Sequence, residues 1–159
     1  MGPISETNPH FRVLRVPPQA RGDAWTYITV GGWAATEGQQ RGTEFILCTA
    51  TDDMRAVELL AMTVFYNEGG KLGTGHVLPI SEPWLPRSRC DRLLVSLPYP
   101  YGPDLQTCHV GDLHVDFLWL IPITEAERDY RNSAGLEALE TRFDEVQLAY
   151  WDATRASAV

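Results

Sequence analysis

Phe117-Leu-Trp-Leu-Ile-Pro-Ile-Thr-Glu-Ala-Glu127 is the stretch on which the fold turns. From Leu113 to Ile121 the chain alternates, with Val115, Phe117, Trp119 and Ile121 on one side and His114, Asp116, Leu118 and Leu120 on the other. That period of two predicts a strand, the longest in the chain. Pro122-Ile-Thr124 is expected to end it. Thr124 then stands three residues before Glu127, the spacing of a capping box, in which the two side chains satisfy two orphan amides at a helix start. A strand therefore feeds directly into a helix.

Upstream, Thr107 to Val110 and Leu113 to Ile121 flank Gly111-Asp112, a two-residue hairpin turn that uses glycine's tolerance of positive φ. Arg92 to Leu97 reads as a buried strand closed by Pro98-Tyr-Pro-Tyr-Gly-Pro103. Ser81 to Arg89 is expected to be loop, and His76 to Ile80 a short extended piece. Met54, Val57, Leu60, Ala61, Val64 and Phe65 recur at helical spacing over Asp53 to Tyr66, with Thr51 or Asp52 as the cap. Thr43 to Thr49 is largely apolar on both faces and so predicts a central strand, while Trp25 to Val30 and Phe11 to Val16 predict two more. Downstream, a short helix to Tyr130, a break at Asn132-Ser133 and a second helix to about Gln147 are expected. This order predicts an α/β (α+β) domain, a mixed sheet packed against helices in a single compact unit.

The 159 residues suffice for one core. Residues 1–10 are expected to form a flexible tail and residues 11–155 the domain. Acidic residues outnumber basic ones 21 to 13, for a formal charge of -8, and Lys71 is the sole lysine. Such a balance argues against nucleic acid and against anionic membrane as partners, because both demand a basic surface. It suits a basic protein partner, although charge that merely keeps a domain soluble explains it equally well. Three cysteines without a CxxC, no apolar leader and no long apolar run place the expected location in the cytoplasm.

Chemistry-bearing patterns are weak. Cys108, His109, His114 and Asp116 surround the hairpin turn, but their spacing matches no zinc pattern and the strand faces are expected to keep them apart. His76 could be paired with a cysteine on residue type alone, whereas Cys48, in mid-strand, reads as a small core residue. Gly69-Gly-Lys-Leu-Gly-Thr-Gly75 follows a helix and precedes a strand, the reverse of a phosphate-binding loop, and reads as a flexible connection. No catalytic residue, metal site or cofactor is therefore expected. Trp25 and Trp119 fit core-facing strand positions. Trp33 and Trp84 fall in loops, where a ring either packs beneath the loop or anchors a partner. Glu137, Glu140, Asp144 and Glu145 lie on the last helix, as a solvated face or as a surface for a basic partner.

Taken in order, several segments resemble the Suppressor of fused domain family, above all its small bacterial members. They are Trp25 to Gly31, Thr43 to Leu47, the helix from Ala56 to Phe65, Gly75-His76, and the Phe117 to Glu127 block. The resemblance spans about residues 11 to 147, and the last block is its most specific part. It implies a binding protein without catalytic residues. Eukaryotic members of the family clamp an extended peptide of a transcription factor, and small bacterial members resemble immunity proteins that neutralise toxins. The chain is too short for the second domain of the eukaryotic proteins, which favours the immunity expectation. A single-domain peptide adaptor working by strand addition at a sheet edge is the alternative, and a hydrolase a weaker one.

Overall fold

The computed structural model describes residues 8–20, 23–36 and 40–159. Its strands are β1 (Arg12–Val16), β2 (Trp25–Val30), β3 (Arg41–Thr49), β4 (Val77–Pro79), β5 (Arg92–Ser96), β6 (Thr107–Val110) and β7 (Leu113–Ile123). Its α-helices are α1 (Met54–Tyr66), α2 (Glu125–Ala134) and α3 (Leu136–Glu145). The strands form one mixed sheet in the order β1-β2-β3-β7-β5-β4, with β6 folded back on β7 as a hairpin. β3 and β7 run parallel, Arg41 opposite His114 through Ile46 opposite Trp119, and the remaining pairs are antiparallel.

The two central strands separate two cores. Phe45 and Leu47 of β3, with Leu118 and Leu120 of β7, face a core shared with Tyr27, Leu59, Leu60 and Trp84. Their sequence neighbours Ile46, Cys48, Trp119 and Ile121 face the other way, toward Leu139 and Phe143 of α3. Strands covered on both faces have no polar side to show, which is why the middle of β3 reads as the unbroken apolar run Phe45-Ile-Leu-Cys48. Each fully buried aliphatic or aromatic side chain contributes about 1.5–3 kcal/mol. The result is three layers, with α1 and the loop before β5 on one face, and α2, α3 and the C-terminal segment on the other.

Several boundaries differ from expectation, each for an identifiable reason. β7 continues through Pro122 to Ile123. The Pro122 carbonyl accepts from Arg155 Nη2 at 2.7 Å, and a strand residue's N and C=O point the same way. The missing proline N–H therefore falls on the side where pairing with β3 has already stopped. The cap of α1 is Asp53, whose Oδ1 accepts from Arg55 N at 2.9 Å. Asp52 instead accepts the Tyr27 hydroxyl at 2.8 Å and pairs with Arg15. The α2–α3 break falls at Gly135 (φ 97), not at Asn132-Ser133, which remain helical. Only glycine adopts that conformation without strain.

The Gly69–Gly75 segment is tied at several points: Leu72 N donates to Asn67 Oδ1 at 2.8 Å, and Gly75 N donates to the Val95 carbonyl at 2.7 Å. Of the expected N-terminal tail, residues 1–7 lie outside the described residues. Asn8 is buried and donates from Nδ2 to the Gly31 carbonyl at 2.6 Å.

Candidate functional site

A groove of about 720 Å³ runs between α3 and the sheet face formed by β5 and β7. Trp119 and Ile121 contribute to its floor, and Tyr99 and Tyr150 supply aromatic walls from segments flanking the helix. Along one side stand Glu137, Glu140 and Asp144. These three sit at i, i+3 and i+7 of α3, the spacing that puts side chains on one helix face. The helix turns that face to the groove because Leu139 and Phe143 are drawn into the core beneath.

Among the described residues, none of these three carboxylates forms an ion pair. Glu140 Oε1 accepts the Ser96 hydroxyl at 2.6 Å, which fixes one oxygen and leaves the charge uncompensated. The field is felt across the groove. Burial raises the Tyr99 hydroxyl above its ordinary pKa, and the charges of Glu140 and Asp144 raise it further. Tyr150 is pushed up to about 12, by burial first and then by Cys48 and Asp23. Its ring meets Trp119 edge-on at 4.6 Å between centroids, and Trp151 on its other side at 4.7 Å. The Trp119 indole N–H is buried without a hydrogen-bond acceptor among the described residues. Chemically the groove offers negative charge and ring faces to a cation.

The structure sorts the residues singled out from sequence. Glu137, Glu140 and Asp144 are brought together. Glu145 turns away, bonded to Arg142 Nη1 at 2.5 Å. Trp33 is 40% exposed in a 3-10 turn (Gly32–Thr36) outside the groove. Trp84 is 0% exposed, so its ring packs under the loop and offers no surface to a partner. Its backbone N donates to the Cys90 carbonyl at 2.9 Å, closing that loop over the ring. Tyr99, Ser96 and Tyr150 were missed from sequence because they reach the groove from segments far apart in the chain. The aromatic-proline run Pro98 to Tyr101 was the signal available.

The hairpin histidines also differ from expectation. His109 and His114 are cross-strand partners on one face, with His109 Nε2 3.1 Å from His114 Nδ1 and His114 Nε2 2.9 Å from Asp116 Oδ1. Asp116 in turn pairs with Arg41 at 2.9 Å. Among the described residues no group of three or more His, Cys, Asp or Glu side chains is disposed to hold a metal. His76 lies apart from this hairpin, in a pocket beside β4. No helix of the described residues is long and apolar enough to cross a membrane.

A buried charge pair, also unforeseen, secures the start of α2. The capping box is present, with Glu127 N donating to Thr124 Oγ1 at 3.2 Å and Thr124 N donating to Glu127 Oε2 at 2.8 Å. Arg155 then grips the same carboxylate from the C-terminal segment. On the far side of the sheet, buried Glu44 accepts the Thr29 hydroxyl and the amides of Gly31 and Gly32 at 2.8 and 3.1 Å. This carboxylate braces the turn after β2.

Comparison with known proteins places this architecture. A crystal structure of a SUFU homolog from Neisseria gonorrhoeae FA 1090 superposes with a TM-score of 0.84 at 34% identity, covering 100% of this chain and 84% of that one. Drosophila Suppressor of Fused superposes at 0.71 with 15% identity, over 93% of this chain and 42% of that one. A chain of the Sufu–Fu complex gives 0.63 at 16% identity, over 85% and 68%. These last two show a shared fold. No curated protein matches the sequence. The family model for Suppressor of fused protein (SUFU) matches residues 7–156, and the chain belongs to that family.

Proposed function

We propose that this chain is a protein-binding domain of the cytoplasm, an immunity protein that neutralises a basic toxin domain by occluding it, with the α3 groove as its docking surface. The observation that carries the reading is the set of three carboxylates without ion pairs beside aromatic walls. Complementary charge raises association rates and selects partners, and aromatic rings make good anchors for cationic side chains. The net charge of -8 extends the same field around the groove. A structural relative is seen in complex with Fu, so this fold is compatible with holding another protein. The proposal contains no chemical step and needs no cofactor.

Co-expression with the products of adjacent genes tests it. A stable complex is expected, and Glu140→Lys with Asp144→Lys should weaken it by roughly a hundredfold. Absence of a complex with any neighbour would sink the immunity reading. A complex indifferent to the charge reversal would move the docking surface elsewhere. The second reading, a peptide adaptor, rests on the edge at β1, which pairs with β2 alone among the described residues and where Leu14 is 52% exposed. Main-chain bonds from a partner strand to Arg12–Val16 in a solved complex would decide for it.

A further inference from the structure

Beside the β4 edge, the end of α1, the following loop and α2 enclose a second pocket of about 530 Å³. Lys71, His76, Arg92, Arg128 and Arg131 line it. Four of them are lysine or arginine cations, in a chain with an acidic surplus, and the pocket's sign is opposite to that of the α3 groove.

Two of these cations are already compensated. Arg92 pairs with Asp91 and reaches Glu125 at 3.3 Å. Arg128 pairs with Glu125 at 3.0 Å and lies 2.7 Å from Asp129, the latter without hydrogen-bond alignment at Nε. Arg131 is different. Its Nη1 donates to the Asn132 side chain at 3.1 Å, its Nε is buried without an acceptor, and among the described residues no carboxylate pairs with it. Its Nη2 comes so close to Gly75 that a Cβ there would sit 3.2 Å away, so the absence of a side chain at Gly75 leaves room for the guanidinium. Lys71 likewise forms no ion pair among the described residues. His76 is oriented: Gly73 N donates to its Nδ1 at 3.2 Å, so the neutral ring carries its proton on Nε2, as a donor.

We propose that this pocket binds a small phosphorylated molecule, the phosphate held by Arg131 and Lys71 with His76 as an added donor. Two uncompensated positive charges match a dianion, whereas a monocarboxylate would leave one unmatched. A planar guanidinium with free donors suits the forked geometry of phosphate oxygens. The volume exceeds what a phosphate group fills and lies within the roughly 300–1,000 Å³ of small-molecule sites. Exposed Tyr66 at the pocket wall offers a ring face to the organic remainder.

Titration of the full chain with phenyl phosphate, inorganic phosphate and benzoate, at constant ionic strength and followed by amide and arginine side-chain NMR, tests the assignment. Phenyl phosphate should give saturable shifts at Gly75, His76 and Arg131, and bind at least about tenfold more tightly than benzoate. Arg131→Gln should weaken it about tenfold or more. Lys71→Gln, at an exposed loop position, should weaken it with the thermal melt unchanged, which separates loss of binding from loss of fold. Shifts that fail to saturate, equal affinity for benzoate, or binding unaltered in both variants would overturn the proposal. If inorganic phosphate equals phenyl phosphate, the phosphate site stands and Tyr66 has no part in it. The α3 groove is untouched by any of these outcomes.

Discussion

Glu127 and Arg155, 28 residues apart, meet as a buried two-pronged pair, Nη1 at 2.7 Å from Oε1 and Nη2 at 2.8 Å from Oε2. Arg155 also donates to the carbonyls of Pro122 and Ala156, and Ala158 N donates to Glu127 Oε1 at 2.9 Å. One carboxylate thus joins the end of β7, the start of α2 and the C-terminal segment that carries Tyr150 to the groove.

Removing one member of such a pair leaves the other charged and buried. Arg155→Ala should cost about 3–5 kcal/mol of unfolding free energy, measured by urea denaturation. It should also loosen the segment from Leu148 to Ala158, raising hydrogen exchange there first. A loss under about 1 kcal/mol would mean that the pair contributes little beyond its own desolvation.

Acid should expose the same pair. Burial alone would raise the Glu127 pKa, but the hydrogen bonds and charge of Arg155, with the amides of Thr124 and Ala158, outweigh it and hold the group below 4.5. Stability from this group is therefore complete above 4.5 and is lost as pH falls through the depressed folded value. Glu44 has the opposite sign. Burial outweighs its hydrogen bonds and raises its pKa, so its protonation favours the folded state as pH falls from that raised value toward 4.5. The stability gap between wild type and Glu127→Gln should shrink below pH 4.5. A gap that stays constant from neutrality to about pH 3 would contradict this assignment.

The three thiols should separate kinetically. Cys108 is exposed, whereas Cys48 and Cys90 are buried, and burial pushes both of their thiols up. Reaction needs an accessible thiolate. Under native conditions a disulfide reagent should modify Cys108 promptly, with Cys48 and Cys90 following only on unfolding. Mass spectrometry of the labelled chain checks the order, and prompt labelling of Cys48 would show that β3 opens readily.

Much of the scaffold was legible because it rests on local periodicity. The alternation from Leu113 to Ile121, the helical repeat from Met54 to Phe65 and the Thr124–Glu127 box each depend on contacts within a few residues. Apart from the α2–α3 break, which Gly135 sets by its own backbone conformation, the errors fell where a distant group intervened. Pro122 stays in its strand because no β3 partner calls for its missing N–H, its carbonyl being taken by Arg155, and Asp53 caps α1 with Asp52 bound to Tyr27. His109 and His114 meet through hairpin register, a relation invisible in their spacing alone.

Residue order by itself determined the strands, the helices and their apolar faces, since burying those faces leaves a mixed sheet between helices as the consistent packing. Which charged residues matter was decided by tertiary structure. Glu137, Glu140 and Asp144 resemble any solvated helix face until Leu139 and Phe143 turn them toward a groove walled by Tyr99 and Tyr150. Arg131 resembles any surface arginine until Gly75 is laid beneath it. An uncompensated charge is defined by what lies near it in space, and those neighbours come from segments whose separation along the chain carries no local signal.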